Sequence, residues 1–232
     1  MTISPLSSAL TSTATTSSQT AAQATEKADP ITAGLQKSST KLQGMLDTAT
    51  ASLSTLGKFK AAVAASQTAA KALATLKETA SSDEVKKALA SFVSTFNTMV
   101  ASTQSATAAS SGVERISRGM TRAMTADFSR VDALRQMGFT KASDGSLKLD
   151  NSKLEAAFKA SPTAVLGSLN KLGGLVDKVA TKELGSSGGI GQSVNSLSSK
   201  ATVLQMQQNA LLKAAQQYAS FAQSRSGSAW SA

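Results

Sequence analysis

The feature that most constrains the fold of this chain is a pair of heptad-like patterns, one near each end of the sequence. Apolar or small residues recur at spacings of three, four and seven in both, as on one face of a long helix. The N-terminal pattern consists of Leu35, Leu42, Leu46, Ala49, Leu53, Leu56, Val63 and Ala70. The C-terminal pattern consists of Val194, Leu197, Ala201, Leu204, Gln208, Leu211, Ala215 and Tyr218. Because such a stripe must be buried against another, the two helices are predicted to pair, within one chain, between copies, or both.

These patterns predict a mainly α protein in which long N- and C-terminal helices form a coiled-coil stem beside a small helical domain with one β-hairpin. Gln208 lies in the seam, where a polar residue can specify register or oligomer state. Gly57 favours a kink or a domain junction within the first long helix. The predicted organisation is a polar leader at 1–29, the stem at 30–57 and 192–224, an inner domain at 58–184 with the hairpin at 139–150, a glycine-rich linker at 185–191 and a polar tail at 225–232.

The hairpin is predicted from short-range signals. Gly138 is placed to end a helix in the left-handed conformation. Asp144-Gly145 is typical of a type I′ turn, whose central residues need positive φ. Leu147 and Leu149 alternate with polar residues, as in a half-buried strand. The segment therefore reads as helix end, turn and strand.

Helix starts are signalled by capping residues. Asp150 or Ser152 is expected to cap one helix, with Ser152 and Glu155 fitting a capping box. Ser161-Pro162 combines a serine N-cap with proline at the first helical position. Ser82-Asp83 are the candidates for the helix that carries Phe92 and Phe96.

Composition argues against enzyme chemistry. The chain of 232 residues has no cysteine and no histidine, which removes disulfides, thiol nucleophiles, histidine bases and the usual zinc sites. No spacing of Glu, Asp, Lys, Ser or Tyr singles out a catalytic pair. We therefore expect no enzyme activity, no catalytic residue, no metal site and no cofactor.

Residues 1–29 are rich in Ser, Thr and Ala and lack the basic and apolar regions of a secretory signal. They are expected to be disordered in isolation. No segment has the roughly 18 consecutive apolar residues of a membrane span, so no membrane partner is expected.

Charge provides a second candidate interface. The net charge is +10, and Arg115, Arg118 and Arg122 recur at helical spacing to form one basic ridge. A solvated helix face is the simplest interpretation, and a protein interface through guanidinium–carboxylate pairs is the next. Nucleic-acid binding is the least favoured, because no recognised motif or stacking aromatic accompanies the ridge.

Three segments in order resemble the flagellar filament-capping protein family, hook-associated protein 2. They are residues 30–73, the SFVSTFNTMV segment with Phe92-Val93 and Phe96-Asn97, and residues 134–169, which contain the hairpin and the Pro162 helix. Family members usually carry large β-rich domains where this chain has only residues 77–90, and they end in a motif that is missing here. The chain therefore resembles a short form of the family.

The resemblance implies a structural protein of the bacterial flagellum, exported by the type III route without a cleaved signal and forming a homo-oligomer at the growing filament tip. Flagellin, other hook-associated proteins and an export chaperone are the implied partners. The candidate stem or oligomer interface comprises Leu35, Leu42, Leu46, Leu53, Leu56, Val194, Leu197, Leu204, Gln208, Leu211 and Tyr218. The alternatives are a flagellin-like or hook–filament junction protein and another secreted coiled-coil interaction module.

Overall fold

The computed structural model describes residues 30–107, 113, 115, 118, 119 and 131–228. Within them the fold is mainly helical with one small antiparallel sheet, which confirms that part of the predicted fold class. A coiled-coil stem stays a prediction. The elements in chain order are α1 (Pro30–Ala74), α2 (Ser82–Thr107), α3 (Val131–Gln136), β1 (Phe139–Lys141), β2 (Leu147–Leu149), α4 (Asn151–Ala160), α5 (Pro162–Leu184) and α6 (Gly189–Ser228).

The chain divides into two compact units. We call the first the terminal-helix unit, whose described residues are 30–48 and 201–228, and the second the central unit, whose described residues are 49–107, 113, 115, 118, 119 and 131–200. The division falls within α1 and within α6, so each long helix contributes to both units. The predicted junction near Gly57 is therefore displaced by about two turns, and α1 continues through Gly57 without a break.

The hydrophobic core belongs to the central unit. Phe92 and Phe96 of α2 belong to it, with their ring centroids 5.9 Å apart. They are helix neighbours at i and i+4, the spacing that puts two side chains on one face. The largest fully buried side chains are Phe59, Phe92, Phe96, Leu56, Leu73, Leu89, Met99, Leu154, Leu166 and Leu169. The apolar faces of α1, α2, α4 and α5 thus share one core.

A glycine lets α5 approach α1 closely inside the central unit. A Cβ added at Gly173 would lie 2.3 Å from the carbonyl oxygen of Ala70 and 2.5 Å from the amide nitrogen of Ala74. Both are backbone atoms, which cannot swing aside. A Cβ added at the next residue, Gly174, would meet no atom of another described element within 4 Å. The two adjacent glycines therefore differ, since only Gly173 is required by packing.

The hairpin forms where it was predicted, but its turn differs. Phe139 pairs with Leu149 and Lys141 with Leu147. The Ala142 amide donates to the Ser146 carbonyl at 2.9 Å, the Gly145 amide donates to the Ala142 carbonyl at 3.0 Å, and Gly145 has φ +86°. This is a three-residue loop closed by an αL glycine, so the expected two-residue type I′ turn at Asp144-Gly145 is wrong. Gly145 supplies the left-handed conformation in either loop, which is why the sequence signal located the hairpin correctly.

Asn97 of α2 joins the hairpin to the helical core. Its side-chain Nδ2 donates to the Leu147 carbonyl at 2.9 Å, and the Leu147 amide donates back to its Oδ1 at 2.7 Å. An isolated two-stranded hairpin is marginally stable in water. The amide of Asn97 occupies the edge of β2 as a third strand would, and so anchors the hairpin.

The ends of the helices around the hairpin follow the predicted chemistry. Gly138 ends α3 at φ +90°, as predicted. The Asp150 carboxylate caps α4 by accepting from the Ser152 and Lys153 amides. Asp150 was one of the two expected caps, and the alternative box of Ser152 with Glu155 does not form.

The other two predicted helix starts differ in detail. At α2 the capping box uses Ser81 with Glu84, so the expected caps Ser82-Asp83 are wrong by one residue. The expected N-cap at Ser161 does precede α5, with Pro162 opening the helix, but the Ser161 side chain makes no capping hydrogen bond in the described structure.

The glycine-rich segment at 185–191 is a tight helix junction instead of an open linker. Helix α6 begins inside it, at Gly189, and the side chain of Ile190 is fully buried in the core. A Cβ at Gly188 or Gly191 would lie 2.1 Å from a backbone carbonyl oxygen. The glycines therefore permit a compact turn between α5 and α6, a role that composition does not distinguish from flexibility.

Candidate assembly surface

Two helix segments make up the described part of the terminal-helix unit. Within it, Leu46, Leu204, Ser39 and Gln208 are buried. Gln208 donates from Nε2 to the Oε1 of Gln43 at 2.5 Å, so its polar group is satisfied in the seam. Only two of the four buried residues are apolar. The two helix segments therefore bury little apolar surface against each other, and most of the surface of each segment stays accessible.

The predicted stem residues all face inward to some extent. In the terminal-helix unit Leu46, Leu204 and Gln208 are buried, and Leu35, Leu42, Leu211 and Tyr218 are half-buried. In the central unit Leu56 is fully buried, Leu53 is half-buried, and Val194 and Leu197 pack against the core. The heptad positions thus contact their own chain, and the eleven predicted residues are divided between the two units.

A different set of apolar side chains is exposed, and all of it belongs to the terminal-helix unit. Among the residues with a described side chain, the exposed large hydrophobics are Ile31, Met45, Val203, Met206 and Phe221. Met206 and Phe221 are each 58% exposed. Isolated exposed apolar residues are normal, and the occurrence of these five in one unit makes that unit the candidate for an interaction surface.

The exposed face of α6 also carries little charge. Lys213 is the only charged residue between 201 and 224. The other polar side chains there are Thr, Ser, Asn, Gln and Tyr. Protein interfaces are depleted of charge at their centre. Low charge together with exposed Val203, Met206 and Phe221 makes this face of α6 the strongest candidate surface.

Part of the basic ridge lines a cleft of about 450 Å³ in the central unit. Arg115 and Arg118 face it with Lys182 and Glu183, near the start of α6. Arg122 lies outside the described residues. The Glu183 carboxylate already accepts from the Gly189 amide at 2.8 Å, so a protein anion occupies the α6 N-terminus. None of the described lining residues is aromatic, and the cleft therefore offers cations without a stacking surface.

Other charged groups of the central unit make structural pairs. Lys86 of α2 pairs with Glu155 of α4, and this hydrogen bond raises the pKa of Lys86. Lys71 of α1 lies 3.7 Å from Asp177 of α5, which also accepts from Gln67 at 2.8 Å. These ion pairs and hydrogen bonds connect α2 with α4 and α1 with α5.

Two carboxyl groups have pKa values below their ordinary range because of local hydrogen bonds. Ser81 donates from its backbone and its hydroxyl to Glu84 in the capping box of α2. Ser146 donates in the same two ways to Asp144 in the hairpin loop. Glu84 stabilises the start of α2 and Asp144 the hairpin loop, and neither lines the cleft described above.

Within the described ranges, no three His, Cys, Asp or Glu residues lie close enough together to hold a metal ion. No described helix is long and apolar enough to cross a membrane. Comparison with protein-family models, curated proteins and solved structures finds no match for this chain.

Proposed function

We propose that this chain is a structural assembly protein whose terminal-helix unit docks with helices of other subunits. The observation that carries the proposal concerns the residues whose side chains the structure describes: the exposed large hydrophobics among them lie in this unit, whereas the buried apolar cluster lies in the central unit. The low charge of α6 between 201 and 224 supports it. This difference between the units suits a protein in which the central unit provides the folded core and the terminal helices bind other subunits.

We further propose a place for this assembly at the growing tip of a bacterial flagellar filament. Support comes from the order of the three segments that resemble the filament-capping family. In this role the terminal helices dock with equivalent helices of flagellin or hook-associated subunits, and copies of the chain form a small oligomer. A short form without outer domains then closes the tip with its helices and central unit, or with a partner.

The test is a deletion strain of the source bacterium. Without a tip cap, exported flagellin should accumulate unpolymerised in the culture medium, and filaments should be short or missing. The wild-type gene should restore them. A matched pair of complementing genes separates docking from folding: Met206→Glu should fail to restore filaments, whereas Gln205→Glu, next to it on α6 and also exposed, should succeed.

Normal filaments in the deletion strain would refute the flagellar role. Long polymers of the purified chain alone would favour a flagellin-like protein, and a small closed oligomer supports the cap-like assembly.

A further inference from the structure

The exposed face of α6 carries a second heptad stripe, separate from the one that faces its own chain. It consists of Val203, Gln207, Ala210, Ala214, Gln217 and Phe221, spaced alternately by four and three residues. All six side chains are exposed. At about 100° per residue, this stripe lies roughly 120° around the helix from the buried face that carries Leu204 and Gln208. Alternating spacings of three and four keep one face toward a partner helix.

The residue types of the stripe are nearly symmetric about Leu212. Ala210 and Ala214 are each two residues from that centre, Gln207 and Gln217 are each five, and Val203 and Phe221 are each nine. In an antiparallel pair of α6 helices, every position would therefore face its counterpart. A two-fold interface has this property, because residue i of one copy contacts residue j of the other and the reverse.

We infer that α6 pairs antiparallel with α6 of a second copy of this chain through this stripe. The inference rests on the proposed assembly function and specifies the contact between copies of the chain in the small oligomer. Val203 of each copy packs on Phe221 of the other, at the two ends of a contact roughly 27 Å long at about 1.5 Å per residue. Ala210 and Ala214 at the centre allow the helix axes to approach to about 8 Å.

The polar members of the stripe also suit a second copy. A glutamine side chain both donates and accepts, so Gln207 and Gln217 can pair across the axis. Gln43 and Gln208 make such a pair within the chain. A strongly acidic or basic partner would need opposite charges on this face to bind it. Between 201 and 224, Lys213 is the only charged residue, so this part of α6 lacks them. The residue order of the stripe and its low charge therefore both favour an identical stripe on a second copy as the partner.

Cysteine crosslinking of the full chain tests the register, since the native chain has no cysteine. Val203→Cys and Phe221→Cys variants are prepared separately, then oxidised alone and as a mixture. The mixture should yield a covalent dimer at least tenfold faster than either variant alone. A mixture of Gln205→Cys and Ser220→Cys is the control, because both are exposed positions at similar distances from Leu212 but off the stripe.

Charge substitution tests the same register by dimer mass in sedimentation equilibrium. Ala210→Glu with Ala214→Glu places like charges across the axis and should raise the dimer dissociation constant at least tenfold. Ala210→Glu with Ala214→Lys places opposite charges across an antiparallel axis and should retain the dimer. In a parallel pair the second variant would repel as well. Gln205→Glu with Asn209→Glu is the control of equal charge and spacing. Circular dichroism confirms that each variant keeps its helix.

Three outcomes overturn the inference. Val203→Cys alone crosslinking as fast as the mixture shows parallel pairing. Crosslinking no faster than the control mixture, in a chain that is oligomeric by mass, places the interface elsewhere and leaves the assembly function standing. A wild-type chain that is monomeric at every concentration excludes a second copy, and the deletion strain then decides separately whether the assembly function itself fails.

Discussion

Replacing Asn97 by alanine should detach the hairpin from α2 and destabilise the central unit by about 2 to 3 kcal/mol. Two hydrogen bonds are lost, both to the backbone of Leu147. A net hydrogen bond contributes about 0.5–1.5 kcal/mol, and a buried backbone group left without a partner adds to the loss. Asn97 is half-buried, so water replaces these bonds only in part.

The expected melting temperature falls by about 4–12 °C, because 1 kcal/mol corresponds to about 2–4 °C for a unit of roughly 150 residues. Urea unfolding followed by circular dichroism gives the free energy of unfolding. Hydrogen exchange gives the local effect, since the Leu147 amide should lose protection. Thr98→Ala is the matched control, because Thr98 is the next residue, is exposed, and hydrogen-bonds within its own helix to the Ser94 carbonyl. Its change should stay within about 0.5 kcal/mol.

A loss below about 0.5 kcal/mol in Asn97→Ala, with unchanged exchange at Leu147, would refute the reasoning that this side chain anchors the sheet.

The other predictions concern packing and pH. Gly173→Ala should lower the free energy of unfolding by about 1–3 kcal/mol, because its methyl group would overlap backbone atoms of α1. Gly174→Ala should raise the free energy of unfolding by up to about 1 kcal/mol, because alanine has the higher helix propensity. Equal shifts of the urea midpoint in the two variants would contradict this difference. Ser66→Ala should leave stability unchanged or raise it, since the buried Ser66 hydroxyl has no hydrogen-bond partner among the described residues, and a clear loss on thermal melting would mean that it has one. The depressed pKa values of Glu84 and Asp144 imply stabilisation that is present above their unfolded pKa values, near about 4, and is lost as the pH falls through the folded values. Unfolding midpoints should therefore decline below about pH 4, and less steeply in Glu84→Gln than in the wild type; parallel curves would exclude the capping contribution.

The separation of two faces on α6 has a consequence for assembly. The face with Leu204 and Gln208 is partly covered within the chain, since these two residues are buried whereas Leu211 and Tyr218 are half-buried. The exposed stripe is shorter and richer in alanine and glutamine than the covered one. An interface of this composition favours association that remains reversible, because small side chains bury little apolar area.

Local features of this protein were determined by sequence alone. The heptad periods predicted the long helices, and the glycine at 138 predicted the end of α3. Asp144-Gly145 located the hairpin, and Asp150 was one of two predicted caps for α4. These signals work because they depend on the conformational preferences and hydrogen bonds of residues a few positions apart.

The tertiary structure decided which neighbours those elements meet. Sequence spacing did not show that Asn97 would bind a strand 50 residues away, or that Gly173 rather than Gly174 would contact α1. Nor did it separate a compact glycine junction at 185–191 from a linker, or show that a second stripe of α6 would stay exposed beside the predicted inward one. A period of about 3.6 residues defines the faces of a helix, but burial of a face depends on contacts between segments distant in sequence. The apolar surface left for a partner is therefore known only once the chain has folded.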